Sequence, residues 1–226
     1  MSHWSVVRSA IDEEVNRQFD TREFKRLFSV PLTPRRVVVY QNHMTYYASN
    51  RRDCWAMVMG KAPLDVKRAI WEHEKDELIH DPRMGRAHVI EADLLAADQT
   101  QLAPGARTAF YAWLYCAREK PWLEGLTYSH ILERRNNNAI VRGGGLVERW
   151  KRKQRAELGH KETERDFQTE VHAVADEDHS DIFEPIFERY VMDAASARAV
   201  LDAARDGLLI DRALRGALAD AMLEVE

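Results

Sequence analysis

The sequence predicts an all-α protein, a bundle of about seven or eight helices in a single domain spanning residues 1–226. Through most of the chain, apolar residues recur at spacings of three and four, the pattern of one buried helix face. Prolines stand where helices are expected to start or stop. No Gly/Ser-rich or Pro-rich linker separates two halves, which favours one domain.

The first half contains helical segments that are punctuated by prolines. Residues 5–29 form the first segment, which ends before PLTPRR (31–36). A long helix is expected from about Pro34. Its β-branched run VVV resembles a strand, but its length and its lack of a hairpin partner favour helix. Pro63 starts the next helix, which ends at the turn signal DPRMG (81–85). Another helix is expected from Arg86 to Gln99.

The second half continues the helical pattern. Pro104 stands near the start of one helix, and residues 121–158 form either one helix interrupted near RGGG or two helices in series. The segment 159–191 begins after Gly159, and Pro185 is expected to kink or divide it. A terminal helix, or a pair of helices, covers residues 193–225.

Composition and charge exclude several classes of protein. Of the 226 residues 45% are hydrophobic and 31% are charged, which is typical of a globular chain. The net charge of -4 gives no basic field for nucleic acid, and the basic run ERWKRKQR (148–155) is interpreted as a solvated helix face. Cys54 and Cys116 form no CxxC motif, which indicates a reducing compartment. With no secretory signal and no apolar run of about 18 residues, we expect a cytoplasmic protein without nucleic-acid or membrane partners.

The stretch EVHAVADEDHSD (170–181) concentrates titratable side chains on one helix face. At about 100° per residue, Asp176 lies roughly 40° and His179 about 20° from His172. Two imidazoles and a carboxylate are a common ligand set for transition metals. The alternative is a solvated acidic helix that carries two incidental histidines.

A second stretch, HEKDELIH (73–80), repeats this spacing with His73, Glu77 and His80. Two helices with such faces can hold a pair of metal ions inside a bundle, and carboxylates with neutral imidazoles suit iron, manganese or zinc. Chance is the competing explanation in a chain so rich in charge. The isolated histidines His3, His43 and His160 are expected at the surface or at helix caps.

Two further candidates lie between these stretches. His88 follows the DPRMG turn and opens a helix, and Glu133 lies in EGLTYSHILERR, whose apolar residues hold that helix in the core. Glu133 is either a surface neighbour of Arg134 or Arg135, or a buried carboxylate whose charge is compensated by a metal.

The order of these motifs resembles the haem-oxygenase-like di-iron oxidases, which are fold relatives of the TenA thiaminases and of the pyrroloquinoline-quinone synthase PqqC. The resemblance covers roughly residues 35–190. It rests on DELIHDPRMGRAHVIEADLLAA (76–97), on a glutamate of a middle helix, and on the late His, Asp, His helix, which GHKETERDF (159–167) precedes.

The resemblance implies a haem-oxygenase-like helical bundle that binds two Fe(II) ions per chain. Carried over residue by residue, it implies six metal ligands: Glu77, His88, Glu133, His172, Asp176 and His179. It favours His88 over the two histidines of the repeated spacing, with His80 as the main rival. Asp81 and Pro82 intervene between Glu77 and His88, so these ligands are expected on different helices or on either side of a turn.

The family's chemistry is implied in the same way. O2 would be the co-substrate, a peroxo-diferric species the intermediate, and a small amine or amino acid the substrate of N-oxygenation or of oxidative C–C or C–N cleavage. The resemblance is compatible with an external electron donor and implies a homodimer. Side chains that could bind a carboxylate or a ring, or simply pack in the core, are Tyr40, Tyr46, Tyr47, Arg51 and Tyr128.

Two other classes of function compete with this one. The first is a metal-independent enzyme of the TenA or PqqC type, for which Cys116 with Glu119 would supply thiol chemistry, although a buried structural cysteine is the favoured interpretation. The second is a catalytically inactive helical interaction protein. Its histidines would be scattered by chance.

Overall fold

The computed structural model describes residues 2–75, 77, 78, 102–159 and 181–225, and within these ranges the chain forms nine helices and no strand. The all-α class is confirmed. The helices are α1 (His3–Gln18), α2 (Arg22–Ser29), α3 (Pro34–Lys61), α4 (64–75), α5 (Pro104–Glu119), α6 (Trp122–Asn136), α7 (Leu146–Leu158), α8 (Glu184–Tyr190) and α9 (Ala194–Leu223).

The long helix α3 begins where the sequence predicts. Pro34 occupies the first turn, where its missing N–H costs no hydrogen bond. The hydroxyl of Thr33 accepts a hydrogen bond from the Arg36 backbone N–H at 3.3 Å and caps the helix. The three valines at 37–39 are helical and buried. Burial of a helix face therefore outweighs the strand preference of β-branched residues.

The first segment forms two helices instead of one, and this contributes to the larger number of helices. The break lies at residues 19–21, where the hydroxyl of Thr21 donates to the carbonyl of Gln18 at 2.7 Å, one of the last carbonyls of α1. Phe19 and Phe24 pack edge to face across the break with ring centroids 5.1 Å apart. Aromatic packing thus fixes the angle between α1 and α2.

In the second half of the chain, the structure decides between one and two helices for residues 121–158 and for residues 193–225. Residues 121–158 form two helices, α6 and α7, joined by a loop in which Gly143 and Gly144 have φ of 81° and 92°. Those values favour glycine because a Cβ would be strained there. Pro185 lies in the first turn of α8, after a turn at residues 182 and 183, so the segment is divided there and a new helix starts. The terminal segment is the single helix α9, which Asp193 and Ser196 start with a capping box.

Helix α9 lies at the centre of the packing. It packs against α1, α2, α3, α5 and α6, most extensively against α6. At Gly207 a Cβ would lie 3.1 Å from Cγ2 of Ile131 and 3.3 Å from Cδ1 of Tyr128, so a glycine allows the close approach of α9 to α6. The indole N–H of Trp4 in α1 donates to Glu184 Oε2 of α8 at 2.7 Å. Helices α1, α8 and α9 therefore share one core.

Large apolar side chains fill this core. Trp4, Phe24, Trp55, Trp113 and Phe187 are each almost completely buried.

Within the described part of the chain, no helix combines the length and the apolar character that crossing a membrane requires. The predicted helix from Arg86 to Gln99 lies outside the described residues.

Candidate functional site

The interior carries an unusual number of ionisable groups. Side chains that are less than about a tenth exposed include three carboxylates, from Glu74, Glu133 and Asp211. They are accompanied by several buried cations and histidines: Arg51, Arg134, Arg135, Arg215, Lys151, His43, His73 and His130. Burying an unpaired charge is costly. The pairing of these groups therefore shows where the buried charges compensate one another and where they do not.

Three carboxylates meet two cationic side chains in what we call the carboxylate cluster: Glu74, Glu77 and Glu133 with Arg52 and His73. Arg52 of α3 lies 2.9 Å from Glu74 Oε2 through Nε, and its Nη1 donates to Glu77 Oε2 at 2.5 Å. His73 Nδ1 lies 3.0 Å from Glu74 Oε1, and His73 Nε2 lies 3.7 Å from Glu133 Oε1. Helices α3, α4 and α6 each contribute to it.

The carboxylates determine the protonation state of His73. Burial by itself would lower the pKa of this imidazole, but the adjacent Glu133, Glu74 and Glu77 outweigh burial and raise the pKa to about 9. At 3.7 Å the contact with Glu133 is an ion pair and is longer than a hydrogen bond. His73 is therefore an imidazolium at neutral pH, and a dication would have to displace its proton before it could act as a ligand.

Aromatic side chains enclose this cluster on one side. The Trp55 indole lies 4.7 Å from the His73 ring and stacks on Phe183 at 5.1 Å, ring centroid to centroid. His130 of α6 packs against Phe183 and Phe187. Burial lowers the pKa of His130 well below its usual range, so this imidazole is neutral. The apolar wall excludes water on the His73 side of the cluster and strengthens the electrostatic interactions there.

A second buried network has the opposite charge. Asp211 of α9 accepts hydrogen bonds from Arg135 Nη1 at 2.9 Å, from Arg215 Nε at 3.0 Å and from the Gln18 amide at 2.5 Å. The Tyr47 hydroxyl accepts a 3.4 Å hydrogen bond from Arg135 Nη2. Because two guanidinium groups share one carboxylate, this network carries excess positive charge among the described residues.

The structure brings together two of the six predicted metal ligands. Glu77 and Glu133 belong to the carboxylate cluster, because both lie near enough to Arg52 and His73 to raise their pKa values. The other four, His88, His172, Asp176 and His179, lie outside the described residues, as does His80. No group of three or more His, Cys, Asp or Glu side chains in the ranges that the structure describes is arranged to hold a metal ion. The described third of the predicted ligand set thus consists of two oxygen donors, with His73 beside them.

Some residues differ from their predicted environments. Glu133 is buried, and so are Arg134 and Arg135, so the interpretation of Glu133 as a surface neighbour of these arginines is wrong. His43 is also buried, although it was expected at the surface or at a cap. Its Nδ1 lies 2.7 Å from the Val39 carbonyl and its Nε2 accepts from the Ala103 N–H at 3.0 Å, so the ring is satisfied internally.

The sequence did not identify the residues that form ion pairs with the candidate ligands or that organise the second network. Glu74 and Arg52 complete the carboxylate cluster, and Asp211 organises the second network. The acidic crowding in HEKDE was visible in the sequence, but the partner arginine lies on another helix and carries no spacing signal. Only the packing of α3 against the other helices shows which acidic residues are paired.

The candidate binding tyrosines are accounted for mainly by packing. Tyr40 stacks on Trp150 with ring centroids 3.9 Å apart, and the Tyr128 hydroxyl donates to Asp206 at 3.1 Å. Tyr46 is more than half exposed. Among the candidates, Arg51 is the one with unmet hydrogen-bonding capacity: it is buried under the Trp55 ring, with its Cζ 5.6 Å from the centroid.

The two thiols are in environments that suppress their reactivity. Burial raises the pKa of Cys54 to about 11 and also raises the pKa of Cys116. Glu119, the carboxylate that thiol chemistry would pair with Cys116, is ion-paired with Arg118 at 3.0 Å. These environments favour the interpretation of both cysteines as structural residues.

The fold and the site thus define an all-α protein whose interior holds a carboxylate cluster beside a basic network. No protein-family model matches the chain, and no curated protein sequence is significantly similar to it.

Proposed function

We propose that the protein is a non-haem di-iron, O2-dependent oxidase or oxygenase with a haem-oxygenase-like fold. Its substrate is a small amine or amino acid, which undergoes N-oxygenation or oxidative C–C or C–N cleavage. The observation that carries this proposal is the meeting of Glu77 and Glu133, from separate regions of the chain, in one buried cluster of an all-α protein. Carboxylates projecting inward from different helices are the donors that di-iron helical proteins use.

The chemistry of the cluster fits iron in part. Carboxylate oxygens suit Fe(II), and the cluster brings three carboxylates together beside Arg52 and His73. We assign Glu77 and Glu133 as ligands, joined by His88, His172, Asp176 and His179. When bound, the two ions would supply the electrons and the coordination positions that the reduction of O2 requires.

The protein's own side chains would position and protect this centre. Arg52 holds Glu77 Oε2 and Glu74 Oε2, which fixes the direction of both carboxylates. His73 holds a proton beside Glu133 Oε1 and so controls the charge of the cluster before metal enters. Trp55 and Phe183 keep bulk water away. Groups beyond the ligands commonly set ligand orientation and metal affinity in this way.

Anaerobic reconstitution with ferrous iron tests the proposal. The folded wild-type chain should bind close to two irons, measured by elemental analysis, and should give a transient visible absorption when O2 is admitted. Glu133→Gln should weaken iron binding by about 10- to 100-fold. Glu124→Gln is the matched control, because Glu124 is also on α6 but lies in its first turn, where it pairs with Lys120. A folded wild-type chain that binds no iron would refute the proposal.

A metal-independent enzyme is the second candidate. The observation that favours it is that Glu74 and Glu77 already have a cationic partner in Arg52, without any metal. The same reconstitution separates the two candidates. Turnover that persists after iron is removed with a chelator would support the metal-independent enzyme and contradict the di-iron one.

A further inference from the structure

Arg51 is a buried cation without a counter-ion in the described part of the chain. Its side chain is 2% exposed, and neither Nη1 nor Nη2 has a hydrogen-bond partner among the residues that the structure describes. The polar group beside it is the Cys54 thiol, which is a weak acceptor and is neutral because burial raises its pKa to about 11. Buried guanidinium groups are normally paired, so this one requires an explanation.

Two indole N–H groups near Arg51 are also unmet donors, one on the same face of α3 and one on α5. Tyr47, Arg51 and Trp55 follow one another at spacings of four and share one helix face. The indole N–H of Trp55 also has no acceptor among the described residues, and neither does that of Trp113, whose ring packs edge to face on Tyr47 at 5.6 Å. All of these unsatisfied atoms are donors. A ligand that supplies acceptor oxygens would satisfy them.

The charges on the two sides of Arg51 differ in sign. Toward Tyr47 lie Arg135 and Arg215, which share the single carboxylate of Asp211. Toward Trp55 lies the carboxylate cluster, because the His73 ring contacts the same indole as the Arg51 guanidinium. This arrangement complements a ligand whose carboxylate faces the arginines and whose amino group faces the carboxylate cluster.

We propose that Arg51 binds the α-carboxylate of an amino-acid substrate, with the substrate's amino group directed toward the carboxylate cluster. The planar guanidinium of Arg51 presents two Nη donors in the geometry that a carboxylate accepts. The description of this ligand as a substrate rests on the proposed function. The anion site at Arg51 rests on the structure of the described residues alone.

Stability of the ligand-free protein gives the first test. Arg51→Met replaces the guanidinium with an uncharged side chain of similar length, and Arg135→Met does the same at a buried arginine that is paired with Asp211. If Arg51 is unpaired until a ligand arrives, the Tm of Arg51→Met is equal to or above that of the wild type. The Tm of Arg135→Met falls by several degrees. A comparable fall for Arg51→Met would overturn the proposal.

Ligand binding to the metal-free protein gives the second test. The probes are glycine, acetate, methylammonium chloride and sodium phosphate, each at 100 mM and matched ionic strength. Glycine should raise the wild-type Tm most, acetate less, and methylammonium least. A ligand at about ten times its Kd raises the Tm of a chain of this size by about 3 °C. In Arg51→Met, the responses to glycine and acetate should be lost.

Each other result contradicts the assignment. A glycine response that is no larger in the wild type than in Arg51→Met shows that the stabilisation is a bulk solvent effect. A phosphate response that equals the glycine response shows a general anion site and overturns the amino-acid assignment. Iron binding is measured separately, and Arg51→Met should keep the wild-type iron stoichiometry. Failure of the anion site can therefore be distinguished from failure of the di-iron proposal.

Discussion

His73 and Glu133 face each other across the junction of α4 and α6, with Nε2 of the imidazole 3.7 Å from Oε1 of the carboxylate and both side chains buried. Sixty positions of sequence separate them, so neither residue's role is visible from its neighbours. Their contact makes the interior at this point sensitive to protons. It also places a removable positive charge beside a carboxylate that we assign to iron.

The stability of the metal-free protein should depend on pH through His73. The pKa of His73 is about 9 in the folded chain, above the value of about 6.5 expected when unfolded. The stabilisation is therefore complete below about pH 6.5 and is lost as the pH rises through 9. We expect a loss of about 3 kcal/mol in the free energy of unfolding between pH 6 and pH 10, measured by urea denaturation. A His73→Gln variant with the same pH dependence as the wild type would contradict this assignment.

We expect the side chain of His179, in the stretch 170–181, to bind one of the two irons only. We expect His179→Ala to weaken the binding of one iron by at least about tenfold while the other ion is retained. His160→Ala is the control, since this histidine is not among the assigned ligands. Titration with ferrous iron under anaerobic conditions measures both variants. Equal affinities of His179→Ala and the wild type would remove His179 from the ligand set.

Asp211 should be far more important to stability than an exposed aspartate of the same helix. Asp211→Asn leaves the buried guanidinium groups of Arg135 and Arg215 without their shared carboxylate, so we expect a loss of about 3–5 kcal/mol. Asp202→Asn breaks only a solvent-exposed contact with Arg205 and should cost less than about 0.5 kcal/mol. Urea denaturation at pH 7 compares the two. Similar midpoints for both variants would contradict the assignment of Asp211 as the organising residue.

The thiols should resist labelling in the native protein. Because burial raises the pKa of both cysteines, little thiolate exists at pH 8 and little reagent reaches it. We expect labelling with an aromatic disulfide reagent to be at least about 100-fold slower in the native chain than in the urea-unfolded chain, where both thiols react. Rapid labelling of Cys116 in the native protein, identified by peptide mass, would contradict this expectation and support the thiol mechanism.

Two glycine substitutions should have opposite effects. At Gly145, the residue before α7, an added Cβ would lie 2.1 Å from the Asn136 carbonyl oxygen, and that backbone cannot move without disrupting the end of α6. We expect Gly145→Ala to cost at least about 2 kcal/mol. At Gly60, within α3, a Cβ would meet nothing within 4 Å, so Gly60→Ala should stabilise by about 0.5–1 kcal/mol. Thermal denaturation distinguishes them, and a neutral Gly145→Ala would show that the close contact relaxes freely.

Helix positions were the most predictable part of the structure, because their signals are local. The starts of α3 and α5 near Pro34 and Pro104 follow from the fixed φ of proline, and the burial of the apolar residues around Glu133 follows from their spacing. The break between α1 and α2 was missed because an aromatic contact between Phe19 and Phe24, and not a proline or glycine, stabilises it.

The candidate site was predictable only as a set of chemically suitable residues. The sequence singled out Glu77, Glu133 and His73, but their partners Arg52 and Glu74 emerge only from the packing of α3 against α4. Burial of His43 was likewise invisible, since its two hydrogen-bond partners are backbone atoms. Pairing across helices depends on three-dimensional register, which a single sequence does not specify.

The shared carboxylate of Asp211 has a consequence for synthesis on the ribosome. Arg135 and Asp211 are separated by 76 positions, so the arginine is translated some seconds before its counter-ion, about 4–15 s at ordinary elongation rates. Until α9 emerges, the nascent chain holds the guanidinium group of Arg135, which it cannot bury without cost. The burial of Arg135 with its counter-ion is therefore completed only after α9 has been made.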